Sequence, residues 1–113
     1  MTFKLYGCKP LGQNEKLKRG KGLRLYKSTA YVKSWNQVKA IMLSQSVGIT
    51  LDDKSRFSVH VLVPRKWNED IDAFQKESLD TLQGFVYKND SQVDEVGSKW
   101  HDENYMQIEV NRI

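Results

Sequence analysis

The chain has 113 residues, which is enough for one domain and too few for two independent hydrophobic cores. Hydrophobic residues make up 39%, charged residues 28%, and the formal charge is +4, a composition typical of a globular protein; no apolar run approaches the ~20 residues that a membrane helix needs. Cys8 is the only cysteine, which excludes an intramolecular disulfide and predicts a cytoplasmic location, in the host cell if the gene is viral.

The elements predicted from hydrophobic periodicity follow the order β-α-β-α-β-β. In chain order they are a strand over 2–6, a helix over about 29–47 that Ser28 caps and Gly48 ends, a strand over 56–64, a helix that starts near Asp70 and that Gly84 closes, and strands over 92–100 and 104–113. This order predicts a single small α+β domain, residues 1–113, in which two helices pack on a mixed sheet.

Basic residues concentrate in a glycine-containing segment between the first strand and the first helix. The segment, residues 8–27, is predicted to be a long mobile loop. Its candidate DNA-binding residues are Lys16, Lys18, Arg19, Lys21, Arg24 and Lys27. Charge of this kind favours a nucleic-acid partner, although a solvated surface loop would have the same composition.

Acidic residues concentrate later in the chain, at the start of the second predicted helix. Asp70 and Asp72 lie two positions apart, Asp90 follows on the loop after that helix, and Lys76 lies one turn beyond Asp72. Mg²⁺ prefers carboxylate oxygen ligands, and an adjacent ammonium group stabilises developing negative charge on a phosphate. The alternative interpretation is structural: acids favoured at a helix N-terminus, with an Asp72–Lys76 pair at i,i+4.

The motif D-I-D-x-x-x-K at 70–76, followed by Asp80 and Leu82 and then by N-D-S-Q-V at 89–93, resembles the RusA family of Holliday-junction resolvases. The likeness extends to KPLGQN at 9–14 and to TAYVKSW at 29–35. Three positions depart from the family pattern: Glu69 stands where a basic residue is usual, Ala73 replaces an asparagine, and Asn89 replaces the first of two paired aspartates.

The resemblance implies a RusA-like fold and a homodimeric endonuclease that resolves four-way DNA junctions by paired symmetric nicks. By this likeness Asp70, Asp72 and Asp90 bind Mg²⁺, for which Mn²⁺ is a substitute, and Lys76 is catalytic. Arg65, Lys66 and Lys99 join the basic loop as DNA contacts. The alternative is a non-catalytic DNA-binding accessory module whose acids only cap a helix, with no membrane partner in either case.

Overall fold

The computed structural model describes residues 1–12, 17–19, 25–27, 29–46 and 51–113. Its regular elements are β1 (Thr2–Leu5), β2 (Leu17–Arg19), β3 (Leu25–Lys27), α1 (Thr29–Ser44), β4 (Phe57–Pro64), α2 (Gln75–Leu82), β5 (Val93–His101) and β6 (Met106–Arg112), with short 3₁₀ helices at Arg65–Trp67 and Asp90–Gln92. None of the helices in these segments is long and apolar enough to cross a membrane.

Four strands form one mixed sheet in the order β1-β6-β4-β5. β6 pairs antiparallel with both β1 and β4, whereas β4 and β5 are parallel, so β5 is an edge strand whose direction matches that of β1 and β4. The carboxyl ends of β1, β4 and β5 therefore lie at one end of the sheet. A small α+β domain with a mixed sheet and two helices confirms the predicted fold class.

Alternation along the strands buries one face of the sheet under the two helices. Val59, Val61 and Val63 of β4 are fully buried and share this face with Ile108 and Val110 of β6. The helices contribute a core stripe that includes Tyr31, Trp35, Val38, Met42, Phe74 and Leu82. Each fully buried apolar side chain of this size contributes roughly 1.5–3 kcal/mol, which makes this layer the main source of stability.

The second helix begins later than the sequence predicts. α2 starts at Gln75, and residues 71–74 form turns in which the Ala73 N–H donates to the Asp70 carbonyl at 3.0 Å and the Gln75 N–H donates to that of Asp72 at 3.2 Å. Asp70 thus lies before the helix, outside its first turn. The spacing of Ile71 and Phe74 fits a tight turn as well as a helix, since both bring residues three apart to one side.

The basic segment contains regular structure that the predicted loop did not include. β2 and β3 pair antiparallel as a separate two-stranded ladder, with Leu17 opposite Lys27 and Arg19 opposite Leu25. Lys18, Arg19 and Lys27 lie on these strands, whereas Lys16, Lys21 and Arg24 lie outside the described residues. The predicted cap at Ser28 and stop at Gly48 lie outside them too, and α1 ends at Ser44 rather than near 47.

Candidate active site

The acidic segment leaves the carboxyl end of β4 through a tight reversal. Pro64 ends the strand, the 3₁₀ turn Arg65–Trp67 follows, and Asn68 takes a left-handed conformation (φ 54°, ψ 39°) while its N–H donates to the Arg65 carbonyl. Asparagine tolerates this backbone region better than most residues. The reversal leads directly into Asp70 and Asp72, whose side chains are exposed although their backbone carbonyls are engaged in the next turns.

The beginning of the chain packs against this reversal and accounts for two of the departures from the family pattern. Lys9 forms an ion pair with Glu69 at 3.5 Å. Gly12 lies so close to Ala73 that a Cβ at Gly12 would be 3.3 Å from the Ala73 methyl, and Ala73 is buried. A glutamate at 69 and a small residue at 73 therefore fit the contact with the first segment.

Buried residues of α2 hold its opposite face towards solvent. Ser78 and Leu82 of α2, and Phe74 just before the helix, are fully buried, and the Ser78 hydroxyl donates to the Phe74 carbonyl at 2.7 Å. Because residues four apart share a helix face, Lys76 and Asp80 lie together on the exposed side. The first residue of the helix is tied to the edge strand by a 2.9 Å hydrogen bond between the side chains of Gln75 and Ser98.

Glu77 points inward and has a structural role. It is buried at 7% exposure and is hydrogen-bonded to Tyr31 of α1, itself buried at 1%. Burial, followed by this hydrogen bond and the charge of Glu77, raises the pKa of the Tyr31 hydroxyl. The pair therefore joins the two helices through a buried charge-assisted hydrogen bond.

Asp90 is held on a 3₁₀ helix that its neighbour caps. The Asn89 side chain accepts a hydrogen bond from the Ser91 N–H at 3.0 Å and forms a capping box with Gln92, and the Asp90 N–H donates to the Gln83 side chain at 3.2 Å. Asn89 stands where the family pattern has the first of two acids, and here its side chain caps the turn. Asp90 is the acid of this motif, and it is exposed.

Asp80 lies close enough to Asp90 to influence its ionisation. Burial and the negative charge of Asp80 raise the pKa of the Asp90 carboxyl, whereas a hydrogen bond from Tyr87 opposes the shift. The buried Tyr87 hydroxyl also donates to the Leu79 carbonyl at 2.8 Å, so its one proton is shared between two acceptors. Two carboxylates near one another without a cation between them repel, so a positive charge at this place would be favoured.

The structure does not gather Asp70, Asp72 and Asp90 into one group. Across the segments described above, no three histidine, cysteine, aspartate or glutamate side chains lie close enough to hold a metal ion together. The donors themselves suit a hard divalent cation, since all are carboxylate oxygens. The raised pKa of Asp90 is also the change that a bound cation would reverse.

The predicted DNA contacts that the structure describes in full are Arg65, Lys66 and Lys99. Arg65 and Lys66 are exposed on the 3₁₀ turn just before it, and Lys99 is exposed on the edge strand β5. Arg65 also forms an exposed ion pair with Asp102 at 3.4 Å. Arg65 and Lys66 thus come directly before Asp70 and Asp72, whereas Lys99 pairs with Leu62 and lies on the sheet face opposite the one that the helices cover.

Two residues of the site had no predicted role. Asp80 follows Lys76 by one helical turn, and that spacing was the available signal. Gln92 is buried at 6%, accepts from the N–H groups of Lys88 and Asn89, and donates to the carbonyls of Asp52 and Ser55, all at 2.9–3.0 Å. With four partners, this buried amide fixes the turn that carries Asp90. The position of Gln92 in the N-D-S-Q-V motif was the sequence feature that could have indicated this role.

A domain of this fold, with acids and a lysine after a central strand and basic residues beside them, has the features of a nucleic-acid phosphodiesterase. The model of the family described as endodeoxyribonuclease RusA matches residues 8–111, nearly the whole chain. The chain therefore belongs to the RusA endodeoxyribonuclease family. No curated protein matches it.

Proposed function

We propose that the chain is a Mg²⁺-dependent endodeoxyribonuclease that resolves four-way DNA junctions by paired nicks. The observation that carries the proposal is the family match over residues 8–111, which includes Asp70, Asp72, Lys76 and Asp90. The cations beside the acidic segment and the raised pKa of Asp90 support it. A cytoplasmic location accords with this function.

In the proposed mechanism the basic residues bind DNA and the acids provide the metal ligands. Arg65, Lys66 and Lys99 contact phosphates, so binding weakens steeply as salt rises. Asp70, Asp72 and Asp90, which the structure does not bring together, would have to move closer to hold the ion, with Asp80 beside Asp90. When bound, Mg²⁺ lowers the pKa of a water and balances charge on the scissile phosphate. Mn²⁺ would substitute, since it accepts the same oxygen ligands.

Lys76 is the residue of the chain that we propose stabilises the negative charge developing on the phosphate. It is exposed on the first turn of α2, the next turn after Asp72. Its ammonium group would donate hydrogen bonds to a phosphate oxygen as negative charge develops there. A homodimer would supply two such sites related by a two-fold axis, which matches the symmetry of a four-way junction and would give paired nicks.

The test is cleavage of a synthetic four-way junction compared with linear duplex. We expect wild-type protein to nick the junction with Mg²⁺ and not in EDTA. Asp72→Asn should lower the cleavage rate by at least about a hundredfold, above the 10- to 100-fold loss typical of outer-shell partners. It should still bind the junction, because removing a negative charge does not weaken phosphate contacts.

Asp53→Asn is the matched control, because Asp53 is an exposed aspartate on a different segment. This variant should cleave the junction at the wild-type rate. Cleavage that persists in EDTA would contradict the metal mechanism. Junction binding without any Mg²⁺-dependent nicking, unchanged by Asp70→Asn and Asp90→Asn, would favour the non-catalytic accessory module instead.

A further inference from the structure

Aromatic rings with cations over them collect at the carboxyl end of the sheet. Lys4 lies over the Tyr105 ring at 5.9 Å, Lys9 over Trp67 at 5.6 Å, and Arg65 over Trp100 at 5.6 Å. Trp67 packs edge-on against buried Phe74, with ring centroids 5.7 Å apart, and so belongs to the core. Trp100 differs, because 43% of it is exposed.

The register of the sheet places Trp100 beside the acidic segment. Trp100 pairs with Val63 in the parallel β4–β5 ladder, and Val63 is buried on the face that the helices cover. Ser98, two residues earlier on the same face of β5, is hydrogen-bonded to Gln75 at the start of α2. Trp100 therefore lies on the sheet face that α2 covers, two residues beyond the position of β5 that is tied to the first residue of α2.

We propose that Trp100 and Arg65 form a stacking site for an unpaired nucleobase of DNA, adjacent to the segment Asp70–Lys76. The inference rests on the proposed function for the identity of the ligand as DNA. An exposed tryptophan offers a flat apolar surface on which any base can stack, and a guanidinium beside it adds cation–π attraction and a phosphate contact. Lys66, which follows Arg65, is also exposed and adds a second positive charge for contact with DNA phosphates.

The site would discriminate between DNA forms through base accessibility. Bases inside a duplex are stacked on both faces, so a protein ring reaches a base only where the stack is open or at the cost of unstacking. Single strands and branch points offer such bases. Trp100 would therefore add affinity for junctions and single strands and add none for linear duplex.

The experiment measures affinity of full-length protein in EDTA, so that cleavage does not interfere, using a labelled single strand, a four-way junction and a linear duplex. Trp100→Ala should weaken binding of the single strand and the junction by about 5- to 100-fold, the range for losing one stacked base. Duplex affinity should change less than about twofold. Trp100→Phe should retain most of the affinity, because phenylalanine keeps a stacking ring.

Salt dependence separates stacking from charge. Trp100→Ala should leave the slope of log affinity against log salt unchanged, whereas Arg65→Gln should reduce it by about 0.7 on a single strand, the value for one phosphate contact. Val96→Ala is the control, since Val96 lies on the same face of β5 and is 38% exposed. It should bind all three DNAs as the wild type does, and thermal melting verifies that each variant is folded.

The inference would be overturned if Trp100→Ala bound both the single strand and the junction with wild-type affinity. It would also be overturned if the variant lost as much affinity for linear duplex as for the other two DNAs. A loss of affinity accompanied by a change from dimer to monomer in light scattering would also overturn it, because Trp100 would then lie at a contact between copies on the edge strand. If the wild type cleaves junctions while Trp100→Ala binds normally, only the stacking site fails. If the wild type binds no DNA, the proposed function fails too.

Discussion

Asp52 and Asp90 lie on neighbouring segments that Gln92 joins, and their surroundings shift their pKa values in opposite directions. The Asp52 carboxylate accepts hydrogen bonds from the backbone N–H groups of Ser55 at 2.8 Å and Lys54 at 2.9 Å, and Arg112 lies 3.1 Å away. The hydrogen bonds from Ser55, then that from Lys54 and the charge of Arg112, lower the pKa of Asp52 to about 2.

Asp90 has the reverse environment. Burial and the charge of Asp80 raise the pKa of its carboxyl, and the hydrogen bond from Tyr87 only partly offsets them. The turn at Asp52 provides donors for a negative charge, whereas the turn at Asp90 places a second negative charge nearby. A carboxylate that its own chain leaves uncompensated is typical of a functional position. The comparison therefore assigns Asp52 to stability and supports a ligand-binding role for Asp90.

The largest expected effect comes from breaking the link between the two segments. Gln92→Leu removes four hydrogen bonds from a site that is 6% exposed. The Asn89 N–H and the Ser55 carbonyl lose this partner, whereas the Lys88 N–H and the Asp52 carbonyl keep their mutual hydrogen bond at 3.2 Å. We expect a loss of about 3 kcal/mol in the free energy of unfolding, measured by urea denaturation, because each unsatisfied buried group costs about 1–3 kcal/mol and some regain water.

Ser91→Ala, at the exposed neighbouring position, is the control for Gln92→Leu and should change the free energy of unfolding by less than about 0.5 kcal/mol. A loss below about 1 kcal/mol in Gln92→Leu would mean that the segments of Asp52 and Asp90 are held together by other contacts.

A smaller effect is expected from neutralising Asp52. Because folding lowers the pKa of Asp52 to about 2, its ionised form stabilises the fold above the unfolded pKa of about 3.9, and this contribution disappears as the pH falls through about 2. Asp52→Asn should therefore lower the melting temperature at pH 7, and the difference from wild type should vanish near pH 2. Asp53→Asn, without these hydrogen bonds, should melt as the wild type does at both pH values.

The same contrast explains what the sequence predicted and what it did not. Local alternation predicted the four strands of the mixed sheet to within one or two residues but not β2 and β3, and the residues of α1 with helical spacing, Tyr31, Trp35 and Val38, are buried. These features depend on neighbours a few residues apart. The predicted start of α2 was wrong because the spacing of Ile71 and Phe74 is common to turns and helices.

Long-range features could not be derived in this way. The parallel pairing of β4 with β5, the exposure of Trp100 on the edge strand and the approach of Asp80 to Asp90 all depend on how distant segments fold back. Asp52 and Asp90 are both exposed or half-exposed acids in polar turns, and their sequences do not distinguish the opposite shifts in pKa. The family resemblance predicted Asp90 as a site residue, and the structure adds the charge of Asp80 near it.

The smallest effect is also the one that separates the two kinds of aspartate most directly. Asp90→Asn removes the repulsion with Asp80 and can keep the hydrogen bond with Tyr87, so we expect metal-free protein at pH 7 to gain stability, by less than about 1 kcal/mol at this exposed position. Because folding raises the pKa of Asp90, the ionised carboxylate destabilises the fold only at pH values above the pKa of the unfolded chain. The stability gained by Asp90→Asn should therefore disappear as the pH falls below about 4.

Asp94→Asn is the matched control with the opposite sign. Asp94 forms an ion pair with Arg56, and the hydrogen bond from Arg56 lowers the pKa of its carboxyl, so neutralising it should reduce the melting temperature slightly. If Asp90→Asn also loses stability in EDTA, the Asp90 carboxylate is held by the fold in the same way as Asp52. If it gains stability and Mg²⁺ raises the melting temperature of the wild type but not of Asp90→Asn, the missing compensation for Asp90 is the cation.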